Sequence, residues 1–334
     1  MQGRVLQENM ESLNQLKNKI VCGDSLEVLK TLPSESIDCA ITSPPYWALR
    51  DYGVAGQLGL EPTFQEYITK LCDMFDELKR VLKKEGTCWV NLGDTYSGNK
   101  EGKTDNKVSN YLKDTSTGIH KKATITEKCL CQIPSRFAIE MTNRGWILRN
   151  TIIWYKKNAM PSSVLDRLTN KYEQVFFFTK DKKYYFELDS IRIPFETDEH
   201  RPDGNTRARE KGYNTKLGTK TREQEIQANN FGIRRNPKSA YERNPIGKNP
   251  GDVWTLTSEP QKDRHFAMFP QKLITPMILA GSPTQGIVLD IFMGAGTTGL
   301  VAKKLGRNYL GIELNPEYIK IAEDRIAGQT PPML

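Results

Sequence analysis

Short apolar runs alternate with helix-like patterns along most of the chain, and this alternation constrains the fold more than any other feature. Two strand-like runs, Lys19–Cys22 and Ile37–Thr42, flank a segment in which leucines recur at helical spacing. Residues 63–82 then predict an amphipathic helix, because apolar side chains recur there at steps of three and one. Near the C-terminus, residues 287–327 have the pattern strand, helix, strand, helix. Such alternation predicts a parallel or mixed sheet covered by helices.

The middle of the chain repeats this scheme. Thr63 and Glu66 form a capping pair at the start of the long helix, and Gly86 is predicted to end it. Residues 87–92 then read as a strand, and residues 133–155 as a further helix and strand. The predicted fold class is α/β, an open, twisted, mostly parallel sheet with helices on both faces.

Composition limits the class of protein and the cellular compartment that this chain fits. Of its 334 residues, 37% are hydrophobic and 26% are charged, which is enough apolar material for a core and excludes wholesale disorder. The first twenty residues carry charges and no apolar run, so we expect no signal peptide. The uncharged stretch 273–289 contains Pro276 and Pro283, so we expect no membrane span. Six cysteines in so long a chain suggest reduced thiols and a cytoplasmic protein.

The net charge of +8 is concentrated in two segments. Residues 201–250 carry a net charge of about +7 and residues 98–128 about +3, so the rest of the chain is nearly neutral. Both segments are poor in apolar residues and rich in Gly, Asn, Thr and Ser. They are either solvated surface loops or basic arms of the kind that nucleic-acid binding requires.

A glycine turn follows the predicted strand that ends at Asp290. Gly294 and Gly296 lie between this strand and a helix, where glycine lets the backbone approach a ligand closely. Glu313 ends the next strand, where a carboxylate can accept hydrogen bonds from ribose hydroxyls. A plain tight turn is the alternative for the glycines alone. Because a Gly-Lys-Ser/Thr phosphate loop is missing, a nucleoside without a phosphate chain fits better than ATP.

A second turn, Ser43-Pro44-Pro45-Tyr46, follows another predicted strand. By itself it is consistent with a rigid polyproline turn and a packed aromatic ring. It also suits a site for an amino group, since the Ser43 hydroxyl and a fixed backbone carbonyl can both accept hydrogen bonds. Tyr46 offers a ring on which a base can stack. Ligands of open α/β folds bind at the carboxyl ends of the strands, so the two turns are expected to face each other.

Together the two turns resemble those of the S-adenosylmethionine-dependent DNA amino-methyltransferases, in the order of their permuted beta group. Gly23-Asp24 and the stretch 265–270 before the glycine turn also resemble that family. The resemblance covers roughly residues 19–97, 129–180 and 250–327. It implies a circularly permuted methyltransferase-type sheet with an inserted recognition region. Ile291 departs from the family, which more often has proline there.

The resemblance also implies roles for individual residues. The target base would be held by the first turn: Ser43, Pro44, Pro45 and Tyr46. The cofactor S-adenosylmethionine would be held by Asp24, Phe269, Asp290, Phe292, Gly294, Gly296, Thr297 and Glu313. Candidate DNA contacts from the basic segment are Arg207, Arg209, Arg234 and Arg235. No metal is expected, because the three histidines are scattered and Cys129 and Cys131 have no second pair.

The resemblance predicts three parts: residues 1–180 and 251–334 of the catalytic domain, and residues 181–250 as a DNA target-recognition region. The predicted activity is methylation of the 4-amino group of cytosine in a base rotated out of double-stranded DNA. Methylation at the 5-carbon is disfavoured, since no cysteine follows a proline. The alternatives are adenine-N6 methylation, another amine substrate such as RNA, and a catalytically inactive DNA-binding protein. A cognate restriction endonuclease is a possible partner.

Overall fold

The computed structural model describes residues 11, 13–97, 125–159, 161–195, 244–257 and 268–328. The chain divides into two compact units, one formed by Met1–Ile191 with Gly251–Leu334 and the other by Arg192–Pro250. In the described part of the second unit, Ile193 and Lys248 exchange backbone hydrogen bonds of 3.0 and 2.9 Å in an antiparallel bridge. Both clefts described below belong to the first unit.

The first unit is built on an eight-stranded sheet in the order β1-β8-β7-β2-β3-β5-β4-β6. Its strands are β1 (Lys19–Cys22), β2 (Ile37–Thr42), β3 (Leu82–Leu92), β4 (Ile147–Lys156), β5 (Tyr172–Thr179), β6 (Val253–Leu256), β7 (Ile287–Asp290) and β8 (Asn308–Glu313). Strand β5 pairs antiparallel with β3 and β4, and the other described pairings are parallel. Strands β2, β7 and β8 therefore end at one edge of the sheet.

Helices cover both faces of this sheet, as the sequence predicts. They are α1 (Ser25–Thr31), α2 (Phe64–Val81), α3 (Ile133–Asn143), α4 (Gln271–Gly281), α5 (Thr297–Lys304) and α6 (Pro316–Ala327). Buried side chains of α1, α2 and α3 belong to one apolar cluster. Those of α4, α5 and α6 belong to a second cluster. The prediction of an α/β fold with a mostly parallel sheet is confirmed.

Helix α2 illustrates how the sequence determines where a helix begins and which of its faces is buried. The Thr63 side chain accepts a hydrogen bond of 3.2 Å from the backbone N–H of Glu66, which satisfies a donor that the first turn leaves unpaired. Tyr67, Leu71 and Phe75 recur at steps of four, so they share one face. All three are buried, and the apolar stripe fixes which side of the helix packs on the sheet.

The prediction that Gly86 ends the long helix is wrong. Helix α2 ends at Val81, and β3 begins at Leu82, so Gly86 lies inside the strand. The charged residues before Gly86 look like a turn in the sequence, but they are exposed positions of an extended strand. A Cβ at Gly86 would approach the Leu82 side chain to 2.6 Å, so glycine is needed there for close packing.

Helix α4 and strand β6 are elements that the sequence did not predict. Helix α4 contains Pro276, a residue that usually argues against a helix interior. Strand β6 has only four residues, and it pairs with β4 at the edge of the sheet. In the described part of the chain, no helix is both long and apolar enough to cross a membrane.

Candidate active site

The carboxylate of Asp290 joins the ends of two neighbouring strands. Its Oδ1 accepts hydrogen bonds from the Thr42 hydroxyl (2.7 Å) and the Phe292 backbone N–H (3.0 Å), and its Oδ2 accepts one from the Thr298 hydroxyl (2.6 Å). The side chain is 1% exposed. Burial raises the pKa of Asp290 to about 6, although the hydrogen bonds from Thr298 and Thr42 act in the opposite direction.

The glycine turn between β7 and α5 needs glycine at two positions for different reasons. Gly294 has φ +50° and Gly296 has φ +80°, a region that side chains make costly. A Cβ at Gly296 would also lie 2.7 Å from the Cβ of Ala322 in α6. A Cβ at Gly294 would meet nothing closer than the Phe292 carbonyl at 3.9 Å. Gly296 is therefore required for helix packing, whereas Gly294 leaves its backbone open to a ligand.

Glu313, at the end of β8, is fixed by two backbone donors. Its Oε2 accepts from the N–H of Gly294 at 2.7 Å and its Oε1 from that of Asn315 at 2.8 Å. Burial raises the pKa of the Glu313 carboxyl, and the backbone bonds partly offset this rise. Each carboxylate oxygen keeps a second lone pair, so Glu313 can still accept hydrogen bonds from two hydroxyl groups of a ligand.

These elements surround a first cleft of about 1030 Å³, including its part open to solvent. It brings together most of the residues that the sequence assigned to the cofactor: Asp24, Phe269, Asp290, Phe292, Gly294, Thr297 and Glu313. Gly296 does not line the cleft. Asp24 also caps α1, because its Oδ1 accepts from the Glu27 N–H at 3.1 Å. The cleft has carboxylates for hydroxyl and amino groups and apolar walls, so it fits a nucleoside of moderate size.

Sequence reasoning missed two aromatic residues of this cleft, Tyr52 and Tyr318. Their rings form an edge-to-face pair with centroids 6.2 Å apart and planes at 86°. Burial raises the pKa of both phenols. Tyr318 could have been suspected, because it lies in the first turn of the helix after Glu313. Tyr52 lies in an irregular loop, where no sequence period marks a residue as pocket-lining.

The turn from Ser43 to Tyr46 is fixed by hydrogen bonds to α2 and to the loop before it. The Tyr67 hydroxyl donates to the Pro45 carbonyl at 2.8 Å. The Trp47 ring N–H donates to the Glu61 carbonyl at 2.9 Å, and Trp47 is buried. The Pro45 carbonyl thus has one donor from α2, and Pro45 lines the first cleft. Ser43 lines the first cleft.

Tyr46 belongs to a polar network that the sequence did not predict. Its hydroxyl donates to Glu173 Oε2 at 2.8 Å and accepts from Asn91 Nδ2 at 2.8 Å. Asn91 Nδ2 also donates to the same Glu173 oxygen at 2.9 Å and lies 3.5 Å from Ser43 Oγ. Burial, and after it the charge of Glu173, raise the pKa of the Tyr46 phenol well above its ordinary value. Tyr46 therefore stays neutral and fixed by its hydroxyl.

Lys156 completes this network by forming an ion pair with Glu173 Oε1. The Lys156 and Glu173 side chains are 23% and 18% exposed, and the ammonium lies 4.3 Å from the ring centre of Trp154. The lysine charge offsets that of a carboxylate that would otherwise be costly to bury. Tyr46, Lys156 and Glu173 all line a second cleft, so the turn contributes to two adjoining cavities of the same unit.

Comparison with known proteins identifies the family to which this chain belongs. The family model described as DNA methylase, of the N6/N4 methyltransferases, matches residues 37–324. This chain is an S-adenosylmethionine-dependent DNA amino-methyltransferase. It is 37% identical over 314 residues to the type II methyltransferase M.SmaI of Serratia marcescens, covering 92% of this chain and 90% of that protein. Identity to M.Cfr9I of Citrobacter freundii is also 37%, over 92% and 87% of the two chains.

Solved structures support the fold of this methyltransferase. The PvuII DNA methyltransferase, named as cytosine-N4-specific, superposes with a TM-score of 0.58 at 20% identity, covering 92% of this chain and 85% of that one. A structure named as a putative DNA modification methylase of Thermus thermophilus, complexed with S-adenosyl-L-methionine, gives a TM-score of 0.54 at 21% identity over 92% and 93%. The predicted family and cofactor are confirmed.

Asp94 of the methyltransferase lies at the second cleft. A carboxylate at the end of a strand can line a site or cap the next turn. Its Oδ1 accepts from the N–H groups of Thr95 (2.8 Å) and Ile133 (3.1 Å), so it caps the start of α3. Burial raises the pKa of its carboxyl against the effect of these bonds. Asp94 therefore lines the second cleft and also caps α3.

The basic residues that the sequence assigned to DNA lie outside the described part of the chain. They are Arg207, Arg209, Arg234 and Arg235. Their assignment stays a prediction. Most of the basic stretch 98–128 lies outside it as well.

Proposed function

We propose that this DNA methyltransferase acts on the 4-amino group of cytosine in double-stranded DNA. The observation that carries the proposal is the position of the neutral Ser43 hydroxyl. It lines the cofactor cleft, while Tyr46, three residues on, lines the second cleft. A base whose ring packs on Tyr46 can thus present its amino group to Ser43 and to the Pro44 carbonyl, beside the methyl donor.

The residues of the turn would activate the amine without a covalent intermediate. An exocyclic amine is a poor nucleophile, because its lone pair is delocalised into the base. Hydrogen bonds from its two N–H groups to Ser43 Oγ and the Pro44 carbonyl favour tetrahedral geometry at nitrogen. When bound, S-adenosylmethionine supplies an electrophilic methyl group. Positioning the two reactants supports the reaction by up to roughly 7–11 kcal/mol.

The residues of the first cleft are proposed to hold the cofactor. Glu313 would accept hydrogen bonds from the ribose hydroxyls, and Asp24 would accept one from the adenine amino group. The methionine end would lie along the glycine turn, where Gly294 leaves its backbone open. Gly296, which does not line the cleft, would act by letting α6 pack against the turn. The fit rests on the two carboxylates and the apolar walls of this cleft.

Cytosine is favoured over adenine by the chemistry of serine. A hydroxyl can accept a hydrogen bond from the amine and also donate its own proton to a ring nitrogen, which a carboxylate cannot do at neutral pH. Within the family that the motifs resemble, Ser-Pro-Pro-Tyr occurs mainly with cytosine as target. The structural neighbour named as cytosine-N4-specific agrees with this choice. Adenine-N6 methylation is the second candidate, since adenine also presents an amine beside a ring nitrogen.

Nucleoside mass spectrometry of DNA treated with the protein and S-adenosylmethionine tests the product. We expect N4-methylcytosine, and label found only in N6-methyladenine would establish the second candidate. Ser43→Ala should greatly reduce turnover and leave the cofactor Kd unchanged, because the hydroxyl is assigned to the base. Ser34→Ala, an exposed serine outside both clefts, is the control. Full activity in Ser43→Ala would remove Ser43 from the reaction.

We also propose that residues 181–250 form a target-recognition region, set between catalytic parts 1–180 and 251–334. With a net charge of about +7 in residues 201–250, DNA affinity should fall steeply with salt, by about 0.9 in log–log slope for each phosphate neutralised. Replacing Arg234 and Arg235 together by glutamine should flatten this slope, as should replacing Arg207 and Arg209. A slope near zero for the unmodified protein would show that these charges do not contact DNA. A partner endonuclease of matching specificity would place the protein in a restriction–modification pair.

A further inference from the structure

The hairpin loop between β4 and β5, residues 157–171, exposes two leucines almost completely. Leu165 is 101% exposed and Leu168 is 88% exposed, more than any other large hydrophobic residue in the described part of the chain. Val164, beside them, is 38% exposed. Single exposed apolar residues are ordinary on protein surfaces, but two exposed leucines only three residues apart make a local apolar patch, and exposed apolar patches mark contact surfaces.

Polar contacts anchor this loop to neighbouring residues, while its two leucines stay exposed to solvent. At its base, the backbone N–H of Lys156 donates to the Lys171 carbonyl at 2.8 Å. The guanidinium of Arg167 lies 3.8 Å from the ring centre of Tyr96. Asp166 forms a 2.8 Å ion pair with Lys128. These contacts anchor the loop through its backbone, Asp166 and Arg167, and none of them involves a leucine side chain.

The loop adjoins the second cleft, where the base is proposed to bind. Asn170 lines that cleft, and its Oδ1 accepts from the Tyr96 hydroxyl at 3.2 Å. Tyr172, at the end of the loop, lines the cleft too. Consecutive Cα atoms are about 3.8 Å apart, so the Cα of Leu168 lies within about 8 Å of that of Asn170. Leu168, at the apolar tip, is thus close to a residue that lines the second cleft.

The charge of the loop favours DNA as its partner. The loop carries three basic residues, Lys157, Arg167 and Lys171, and one acid, Asp166. Asp166 is already paired with Lys128. A loop with a net positive charge and an apolar tip suits a duplex, which has phosphates outside and stacked bases inside. Proteins that unstack DNA commonly insert leucine or a similar apolar side chain between base steps.

We propose that Leu165 and Leu168 form a wedge that enters the base stack of duplex DNA as the target base leaves it. The inference rests on the proposed function, since it places the extruded base on Tyr46 in the neighbouring cleft. Removing a base from a duplex leaves apolar faces of its neighbours exposed to water. The wedge covers these faces, so the open duplex is stabilised without any hydrogen bond to a particular base. It assists base extrusion and carries no sequence preference.

The test compares two forms of the duplex that the protein methylates, one with the target base paired and one with it mismatched. A mismatched base already leaves the stack more easily. The double variant Leu165→Ala/Leu168→Ala should lose about tenfold in kcat/KM on the paired duplex, because two apolar side chains no longer reach the stack. On the mismatched duplex it should lose less than about twofold. The control is Ile139→Ala, since Ile139 is 61% exposed on α3, away from this loop in sequence.

Each outcome decides between the possibilities. A loss on the paired duplex alone supports the wedge, provided that cofactor Kd and Tm match the unmodified protein. Equal loss on both duplexes, or none on either, overturns it and leaves the methyltransferase assignment intact. A change from dimer to monomer in sedimentation would also overturn it, because the leucines would then contact a second copy. If no duplex is found that the unmodified protein methylates, it is the proposed function that fails.

Discussion

The hydroxyl of Thr42 donates a 2.7 Å hydrogen bond to Oδ1 of Asp290, although 248 residues separate the two along the chain. Thr42 is the last residue of β2, directly before Ser43, and Asp290 is the last residue of β7, directly before the glycine turn. The two strands are parallel neighbours, so their ends meet. This bond fixes the turn assigned to the base against the turn assigned to the cofactor.

Asp290 makes the stability of the protein depend on pH. Its pKa of about 6 in the folded protein lies above the ordinary value of 3.8, because the carboxyl is buried. Between these pH values the folded protein binds more protons than the unfolded chain, so the contribution of Asp290 to the free energy of unfolding falls as pH rises. This contribution amounts to up to about 3 kcal/mol. It is fully present below about pH 4 and is lost above about pH 6.

Asp290→Asn removes this titration and tests it. Relative to the unmodified protein, the variant should gain stability as pH rises from about 5 to about 7.5, measured by denaturant unfolding at each pH. The rise in the pKa of Glu313 has the same sign but is common to both proteins, so it largely cancels from the difference. A stability difference that does not change with pH would show that Asp290 titrates normally.

The ends of the central strands could be predicted from the sequence, and with them most of the residues that meet in the first cleft. Apolar runs mark β7 and β8, glycines mark the turn, and Glu313 follows at the next strand end. Parallel strands of an α/β sheet place such ends at one edge, so local patterns sufficed. Tyr52 is the exception, because nothing local marks it.

The network around Tyr46 could not be predicted. Asn91 and Glu173 meet because β3 and β5 pair antiparallel, with Asn91 opposite Val175. Such a register depends on the whole sheet, and a shift of β5 by one residue would turn Glu173 to the face opposite Asn91. Gly86 was misjudged for a related reason, since close packing on Leu82 and a helix end both select glycine.

Glu313→Gln should weaken cofactor binding. Both carboxylate oxygens accept from backbone donors, and an amide can replace only one of them, so its NH₂ group would face the N–H of Gly294 or Asn315. We expect a loss of about 1.5–3 kcal/mol in binding free energy by calorimetry, the scale of hydrogen bonds to a charged group. Glu317→Gln, on the first turn of α6, is the matched control. Equal cofactor Kd values for the two variants would remove Glu313 from the cofactor site.

Tyr46→Phe should separate the role of the hydroxyl from that of the ring. Loss of the hydroxyl leaves Asn91 and Glu173 without one partner each, so the free energy of unfolding should fall by about 1–3 kcal/mol. The ring remains, so the variant should keep more methylation activity than Tyr46→Leu. Tyr155→Phe, on an exposed tyrosine, is the control for removing a phenol. If Tyr46→Phe and Tyr46→Leu are equally active, stacking on the ring is not the function of Tyr46.

Gly296→Ala and Gly306→Ala form a matched pair, because both glycines have positive φ, +80° and +69°. A Cβ at Gly306 would meet no atom within 4 Å, so only backbone strain of roughly 1–2 kcal/mol should appear in its free energy of unfolding. A Cβ at Gly296 would lie 2.7 Å from the Cβ and 3.0 Å from the Cα of Ala322, and a helix backbone cannot rotate away as a side chain can. Gly296→Ala should therefore lose a further amount of about 1–3 kcal/mol from overpacking, measured by denaturant unfolding. In Gly296→Ala, α6 would be displaced from the turn, so the cofactor affinity of this variant should fall as well. The cofactor affinity of Gly306→Ala should not change. Equal unfolding free energies for the two variants would mean that α6 yields to the added methyl group, and the tight approach of Ala322 would then not be what requires glycine at position 296.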